Sequence, residues 1–452
     1  MKTNIQHYAE LIRSYILSSY KHNFREPVDR LKYPFLVPGA YYSHQLWDWD
    51  SWLTGLALLE IEDPSIDAYE KGCVLDFLDA QDENGRIPIL VQDSPSWLFD
   101  LDPNKKTNIH KPCLAQHALV ISKHQNDASW IRDSYPRLER FISYYEKEQK
   151  HEETGLFFPL DDVGLGFDND PTVFYRQHGD TASIYLNALM QAELQAMADL
   201  ADMLSLKEQK EKYQQKADEL AKGIHEELYD PRDGYFYSAD ISLRKVDPDE
   251  WLHKGAPRNY HSLPMRIETW AGMLPLWSGI ATPEEAKRCV EEHYINPKTL
   301  NSPYGIRSVS KAEKMFRNIR SGNPSCWVGP IWINANYFTY IGLKKYGYDD
   351  LAKELAEKTT LVLGQDIEKQ GKFSEYYDSE TGIGLNNPGF QSWNFLVLCM
   401  LKEVEELEKD HRYWRSFKSP SRNRASRCFL RYWAGERPNA ALKTAEKLVE
   451  DL

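Results

Sequence analysis

Residues 181–228, TASIYLNALMQAELQAMADLADMLSLKEQKEKYQQKADELAKGIHEEL, contain two consecutive helical patterns of opposite character. The first, 181–204, is mostly apolar, which is typical of a helix buried inside a domain. The second, 207–228, carries opposite charges four residues apart, such as Glu208 and Lys212, and this predicts a solvated outer helix. The pair therefore predicts two layers of helices, one inner and one outer.

Helical patterns dominate the rest of the chain as well, separated by loops rich in Gly, Pro, Asp, Asn and aromatic residues. Strand signals are short and local, as at 235–237, and no regular repeat of 33–47 residues is visible. By analogy with other large all-α enzymes, this alternation predicts an all-α closed α/α toroid. The helical candidates are 5–23, 46–59, 66–80, 114–124, 129–150, 181–204, 207–228, 284–293, 331–346, 350–363 and 391–407.

The composition excludes several classes of protein. Hydrophobic residues make up 42% of the 452 residues, which excludes a disordered chain. The net charge of −13 argues against a dedicated nucleic-acid binder, because phosphate neutralisation requires a basic surface. We assign residues 1–408 to one catalytic domain and 409–452 to a basic, aromatic C-terminal extension. That extension either packs on the domain with its bases facing water or contacts an acidic partner or nucleic acid; the first alternative is favoured.

The location and cofactors are predicted from what the sequence lacks. The N-terminal segment resembles an amphipathic helix rather than a signal peptide, and no apolar run of about 18 residues exists. The 6 cysteines are scattered without a C-x-x-C pair, which indicates reduced thiols in a cytoplasmic protein. The 13 histidines show no metal-ligand spacing, so we expect no cofactor and no metal. The oligomeric state stays open.

Four loops, around 45–52, 159–171, 323–337 and 373–393, combine aromatic side chains with carboxylates or amides. The chain has 57 aromatic residues, and these loops are unusually rich in them. Indole faces pack against sugar C–H groups, and carboxylates accept hydroxyls, so the run QLWDWDSW (45–52) predicts a pocket floor. The alternative is a helix start that uses one Asp as a cap. The run PLDDVGLGFDNDP (159–171) fits a general acid, a calcium loop or a capped turn. The run FSEYYDSETG (373–382) supplies a second carboxylate or is an ordinary turn.

Taken in order, the runs WDWDS (47–51), GFDNDP (166–171), GPIWINANY (329–337) and SEYYDSETG (374–382) resemble glycoside hydrolase family 63. The resemblance covers roughly residues 33–405 and is closest to the mannosylglycerate and glucosylglycerate hydrolase subgroup. It implies an (α/α)6 barrel with long loops at one face forming the active-site pocket. It also implies hydrolysis of a small α-glucoside or α-mannoside with inversion.

Carried over to this chain, the resemblance makes Asp168 the general acid and Glu375 the general base. Asp168 would be protonated at rest and Glu375 ionised, about 6.5–9.5 Å apart to leave room for water. The predicted saccharide-binding residues, some from the resemblance and others from their place in the loops, are Tyr42, Trp47, Trp49, Asp50, Gln116, Phe167, Arg176, Trp327, Tyr376, Gln391 and Trp393.

Two departures from the family leave the sugar and the aglycone open. Asp170-Pro171-Thr172 stands where the family usually has Ser-Pro-Arg, and Val328 replaces an arginine before Gly-Pro. Two other functions remain alternatives. A non-catalytic sugar-binding or regulatory protein would not need Asp168 and Glu375 in one pocket, and a toroidal sugar isomerase would place paired histidines there instead.

Overall fold

The computed structural model describes residues 2–93, 107–244, 249, 258–319 and 326–405. The proposed extension at 409–452 lies outside these ranges. The α-helices are, in chain order, α1 (Lys2–Ser19), α2 (Asp48–Leu58), α3 (Ile66–Asp79), α4 (Leu114–Gln125), α5 (Tyr135–Glu148), α6 (Asp162–Leu165), α7 (Ile184–Met203), α8 (Lys207–Leu228), α9 (Leu274–Ser278), α10 (Pro283–Arg288), α11 (Ile333–Lys345), α12 (Asp349–Gln370) and α13 (Val397–Met400).

Within the described ranges, the inner helices form a closed ring. Along the ring, α2 packs on α4, α4 on α7, α7 on α9, and α9 on α11. Helix α11 packs on α13 and on the 3₁₀ segment before it, Ser392–Leu396, which packs in turn on α2. The ring closes between segments from opposite ends of the described chain, so the fold is an (α/α)6 barrel.

The outer layer surrounds this ring and follows the predicted pattern. Helix α8 packs along α7, α3 packs on α2 and α4, and α12 packs on α11 and α1. Ion pairs connect α5 to its outer neighbours, from Arg137 to Asp79 of α3 and from Lys216 of α8 to Glu146. Helix α8 buries only one stripe, as a solvated outer helix should, consisting of Tyr213, Ala217, Leu220, Ile224 and Leu228.

Short antiparallel strands pair within the segments that connect the helices. Strand β3 (Gln45–Trp47) pairs with β4 (Leu90–Gln92) directly before α2 and so fixes the start of that helix. The other strands are β1 (Phe24–Arg25), β2 (Phe35–Leu36), β5 (Thr181–Ala182), β6 (Tyr229–Asp230), β7 (Tyr235–Phe236), β8 (Ala239–Asp240), β9 (Leu263–Pro264), β10 (Asn301–Ser302) and β11 (Gly305–Ile306).

Most predicted helices are present, and two differ instructively. The predicted helix 391–407 is instead the 3₁₀ segment Ser392–Leu396, then α13, then a second 3₁₀ segment, Leu401–Glu403; residues 406–407 lie outside the described ranges. Polar side chains hold the first segment, because the Asn394 amide donates to the carbonyls of Ser374 and Phe390. Helix α12 continues past the predicted end at 363 to Gln370 and stops at Gly371, whose φ is +73°.

Neither a disulfide nor a membrane span is found among the described residues. The five cysteines there are free and buried; Cys428 lies outside them. No helix in the same ranges has the length and apolarity needed to cross a bilayer.

Candidate active site

The first wall of the site comes from the start of α2. The Asp48 backbone N–H donates to the Ile89 carbonyl at 3.1 Å, which anchors this end next to β4. Asp50 follows one residue after Trp49 and is almost fully buried. Its Oδ1 accepts from the Ser392 hydroxyl at 2.9 Å, so Asp50 bridges the first and last inner segments of the ring.

Glu375 lies on an extended stretch that forms backbone hydrogen bonds to Ile331 on one side and to Asn386 on the other. Tyr377 exchanges hydrogen bonds of 2.8 and 3.0 Å with Ile331, and the Glu375 N–H donates to the Asn386 carbonyl at 2.9 Å. The side chain of Glu375 is buried, and its Oε2 accepts from Asn386 Nδ2 at 3.2 Å. The indole N–H of Trp393 donates to the Glu375 carbonyl at 3.3 Å.

In the acid-rich loop 159–171, three of the four aspartates accept hydrogen bonds from backbone N–H groups nearby in the chain. Asp161 caps α6 by accepting from the Gly164 N–H, and Asp162 Oδ2 accepts from Asn169 N at 2.7 Å. Asp170 accepts from both the backbone N–H and the hydroxyl of Thr172 at 2.8 Å. The capped-turn interpretation is therefore right for these three residues.

Three carboxyl groups raise the pKa of one tyrosine, Tyr42. Burial raises the pKa of the half-buried Tyr42 phenol, and the charges of Glu375, Asp50 and Asp168 raise it further. Asp50 lies in the first turn of α2, and Asp168 and Glu375 lie in two separate loops, yet the charges of all three raise the pKa of the same hydroxyl. Asp50, Asp168 and Glu375 therefore form one cluster, which we call the carboxyl cluster.

Two members of the carboxyl cluster, Asp50 and Glu375, have raised pKa values. Burial raises the pKa of Glu375 from 4.5 to about 8; the charges of Asp50 and Asp168 add to this, and the Asn387 and Asn386 amides oppose it. Burial likewise raises the pKa of Asp50 from 3.8 to about 7. Glu375 was expected to be ionised at rest, but its buried surroundings favour the protonated form at neutral pH.

Aromatic rings surround the carboxyl cluster in one continuous network. Trp49 is the central ring, with centroids 5.3 Å from Trp393 and 5.9 Å from Trp327. Trp327 stacks on Trp332 at 3.9 Å, and Trp332 stacks on Tyr376 at 4.6 Å. Seven predicted residues belong to this network, namely Tyr42, Trp47, Trp49, Phe167, Trp327, Tyr376 and Trp393.

The network has an inner face and a supporting layer. Trp49 and Trp393 keep a small exposed fraction, 5% and 4%, whereas Phe167 and Tyr376 have none. Phe167 and Tyr376 therefore support the wall from behind. Tyr42 and Trp47, which are half-buried and 5.6 Å apart, form its outer edge.

Three predicted saccharide-binding side chains are engaged elsewhere. The Gln116 amide donates to the carbonyls of Pro112 and Leu189, joining α4 to α7, although its Oε1 has no partner. Arg176 binds Thr181 and forms an ion pair with Asp240, which fastens the loop after the acid. Gln391 lies beside the Tyr15 hydroxyl of α1 and lowers the pKa of that phenol. None of the three makes a hydrogen bond to the carboxyl cluster in this structure.

Several residues of the site were not singled out from the sequence. Lys111 is buried beside Trp49, in an ion pair with Asp48. Trp332 forms the centre of the stacked rings, and Asn386 has a buried Oδ1 without a partner beside Glu375. A charged residue within an otherwise apolar stretch, as at Lys111 in 109–115, was the one available clue.

The alternatives can now be compared with the geometry. No group of three or more metal-ligating side chains comes together in the described part of the chain, and the calcium-loop acids bind backbone instead. The buried histidines of that part are His110 and His117, whose pKa values are lowered by burial. His110 packs edge-on against Phe77 and Phe141 and is not part of the carboxyl cluster. The centre is thus built from carboxyls, as a glycosidase requires and a histidine-based isomerase does not.

Comparisons with known proteins agree with this geometry. Residues 42–393 match the mannosylglycerate hydrolase MGH1-like glycoside hydrolase domain. Mannosylglycerate hydrolase MGH1 of Selaginella moellendorffii is 24% identical over 426 residues, covering 81% of each chain. The family 63 mannosylglycerate hydrolase of Thermus thermophilus, solved with glucose, superposes with a TM-score of 0.64 at 20% identity, covering 85% of this chain and 99% of that one. The neutral trehalase Nth1 of Saccharomyces cerevisiae superposes with a TM-score of 0.61 at 17% identity, covering 90% and 78%.

The barrel and its carboxyl cluster define a glycoside hydrolase. The chain belongs to the mannosylglycerate hydrolase MGH1-like family within glycoside hydrolase family 63.

Proposed function

We propose that this glycoside hydrolase cleaves a small α-glucoside or α-mannoside with inversion, using Asp168 as general acid and Glu375 as general base. The observation that supports this most is the shared field at Tyr42, where the charges of Asp168, Glu375 and Asp50 act on one hydroxyl. Inversion needs two carboxyls on opposite sides of one sugar ring, with a water between the ring and the base.

The chemistry follows from these positions. Asp168 donates a proton to the glycosidic oxygen as the bond to the anomeric carbon breaks. Glu375 accepts a proton from the water that attacks the opposite face of the ring. The indole of Trp49 and the carboxylate of Asp50 hold the sugar by C–H contact and by accepting its hydroxyls. The unpartnered Asn386 Oδ1 beside Glu375 is available to accept a further hydroxyl.

The protonation state of the carboxyl cluster connects the two roles. Because the charge of Asp168 raises the pKa of Glu375, a proton placed on Asp168 favours ionisation of Glu375. We therefore assign one proton to the pair rather than to either residue. The mechanism requires this proton to be on Asp168, with Glu375 ionised, in the reactive complex.

The substrates most consistent with the family are glucosylglycerate, mannosylglycerate and an α-linked disaccharide. The family model and the Selaginella relative support the first two, and the departures at Val328 and Thr172 keep the third in the set. The free thiols of the described residues support a reducing, cytoplasmic location.

The test is a substrate screen with stereochemical readout. We expect turnover of at least one of glucosylglycerate, mannosylglycerate, trehalose, kojibiose, nigerose or sucrose, with the β-anomer appearing first by NMR. Asp168→Asn and Glu375→Gln should each lower kcat by at least about 100-fold. Asp170→Asn, a matched change in the same loop, should stay within about threefold, since the Asp170 carboxylate is hydrogen-bonded to Thr172. A first product of retained configuration, or an active Glu375→Gln enzyme, would overturn the mechanism.

A sugar-binding protein without catalysis is distinguished by the same experiment. It would bind one of these glycosides in calorimetry without releasing a product, and neither carboxyl variant would differ from the wild type in turnover.

A further inference from the structure

Lys111 is a lysine sealed inside the protein next to the carboxyl cluster. It is 2% exposed, and its Nζ lies 3.0 and 3.2 Å from the two oxygens of Asp48. Asp48 also accepts from the backbone N–H groups of Lys111 and Trp49, at 2.8 and 2.7 Å. A buried ion pair is often no more stabilising than an apolar pair of the same volume. Its presence here therefore calls for a role other than stability.

The lysine contacts both halves of the site. Its Nζ is 5.0 Å from the centre of the Trp49 ring, within cation–π distance. On its other side lies Gly166, where an added Cβ would be only 2.2 Å from Lys111 Cε and 3.3 Å from Trp49 Cζ2. Gly166 has a φ of +77° and stands two residues before Asp168. The acid loop thus rests directly on the lysine stem and the edge of the indole.

The same pair balances the charge felt by Asp50. Asp48 raises the pKa of Asp50 and Lys111 lowers it, so the two charges of the pair have opposite effects on Asp50. Removing the Lys111 charge would therefore raise the pKa of Asp50, and removing the Asp48 charge would lower it.

We propose that Lys111 is a positioning residue: paired with Asp48, it holds the Trp49 ring and the Gly166–Asp168 loop in the arrangement needed for the carboxyls to act on one sugar. This rests on the proposed glycosidase function only for its kinetic consequences. The placement of the loop by the lysine is a separate claim and has its own readout.

Three variants separate positioning from stability. Lys111→Met leaves the Asp48 charge buried and unpaired, so it lowers stability as well as activity. Asp48→Asn/Lys111→Met removes both charges and keeps an oxygen acceptor for one of the two backbone N–H groups, so its unfolding midpoint should recover most of the loss seen in Lys111→Met. Tyr145→Phe is the matched structural control, because the Tyr145 hydroxyl donates to the His110 carbonyl at 2.8 Å, next to Lys111, without contacting the pair.

Hydrogen exchange of residues 164–170 tests the placement without any substrate. In the double variant we expect these amides to exchange at least about tenfold faster than in the wild type. Tyr145→Phe should leave them unchanged. Wild-type exchange in the double variant would overturn the proposal, whatever the enzyme hydrolyses.

Kinetics on the substrate found by the screen give the second readout. The double variant should lose at least about tenfold in kcat/KM despite a largely recovered unfolding midpoint. The acidic limb of the pH profile should move up in Lys111→Met and down in Asp48→Asn, which a purely structural role would not produce. Full activity in the double variant would overturn the proposal, whereas an inactive wild type would refute the proposed function and leave the exchange result standing.

Discussion

Replacing Glu375 by glutamine should stabilise the protein while removing its activity. The carboxyl is buried, and its pKa is raised from 4.5 to about 8 by burial and by the charges of Asp50 and Asp168. Glutamine has the shape of the protonated acid and keeps an acceptor for Asn386 Nδ2. The variant therefore removes only the ionisation of a group that the folded protein holds in an unfavourable environment.

The size and pH range of the effect follow from linkage. The folded chain binds the Glu375 proton more tightly than the unfolded chain does, so wild-type stability falls as pH rises from 4.5 to about 8. Below that window the group is protonated in both states and costs nothing. At 1.36 kcal/mol per pH unit, the loss is about 3 kcal/mol at pH 7 and at most about 4–5 kcal/mol at pH 9. Glu375→Gln should recover this amount, so its advantage grows with pH.

Urea unfolding monitored by tryptophan fluorescence, at pH 5, 7 and 9, measures this difference. The control is Glu10→Gln on the exposed face of α1, where wild type and variant should keep the same midpoint at every pH. We expect the midpoint of Glu375→Gln to exceed that of the wild type by more at each higher pH. A difference that stays constant between pH 5 and 9, or a variant less stable than the wild type at pH 9, would refute the reasoning.

Three further predictions concern residues around the carboxyl cluster. Gly166→Ala should lower kcat/KM by at least about tenfold and destabilise by about 1–3 kcal/mol, measured by kinetics and urea unfolding, because a Cβ would meet Lys111 at 2.2 Å where φ is +77°. Ser392→Ala should move the acidic limb of kcat/KM upward by up to about one pH unit, since the serine hydroxyl lowers the pKa of Asp50; an unmoved profile would contradict it. Trp332→Leu should cost about 2–4 kcal/mol in urea unfolding, because two rings stack on this buried indole; a loss below about 1 kcal/mol would show that the stack relaxes around the change.

The fold could be predicted from local patterns because each helix carries its own evidence. The apolar stretch of α7 and the single buried stripe of α8 specify two layers without knowledge of their neighbours. The end of the chain was harder. The side chains of Ser392 and Asn394 form hydrogen bonds to Asp50 and to the Ser374 carbonyl, which are distant in sequence. These bonds help to set the backbone conformation there, and the spacing of apolar residues does not reveal them.

The candidate site was partly predictable for a related reason. The unusual density of indoles and carboxylates in 45–52 pointed to Trp49 and Asp50, whereas Glu375 followed from the resemblance to glycoside hydrolase family 63. The direction of a side chain is a tertiary property, so the sequence did not reveal that the Gln391 amide faces α1. Nor did it reveal Lys111, whose partner Asp48 is 63 residues away.

The closure of the inner ring has a consequence for the biosynthesis of this enzyme. Asp50 meets Ser392 across 342 residues of chain, and Tyr8 of α1 bonds Glu368 of α12 across 360. Such long-range contacts form late, because the intervening loop must first be ordered. Without its last inner segment, Ser392–Leu396, the ring stays open, and the faces of α2 and α11 that pack on this segment have no neighbour. Asp50 then lacks its hydrogen bond from Ser392. We therefore expect the fold and the catalytic centre to be completed together when that segment becomes available, and shorter translation products to be inactive and prone to aggregation.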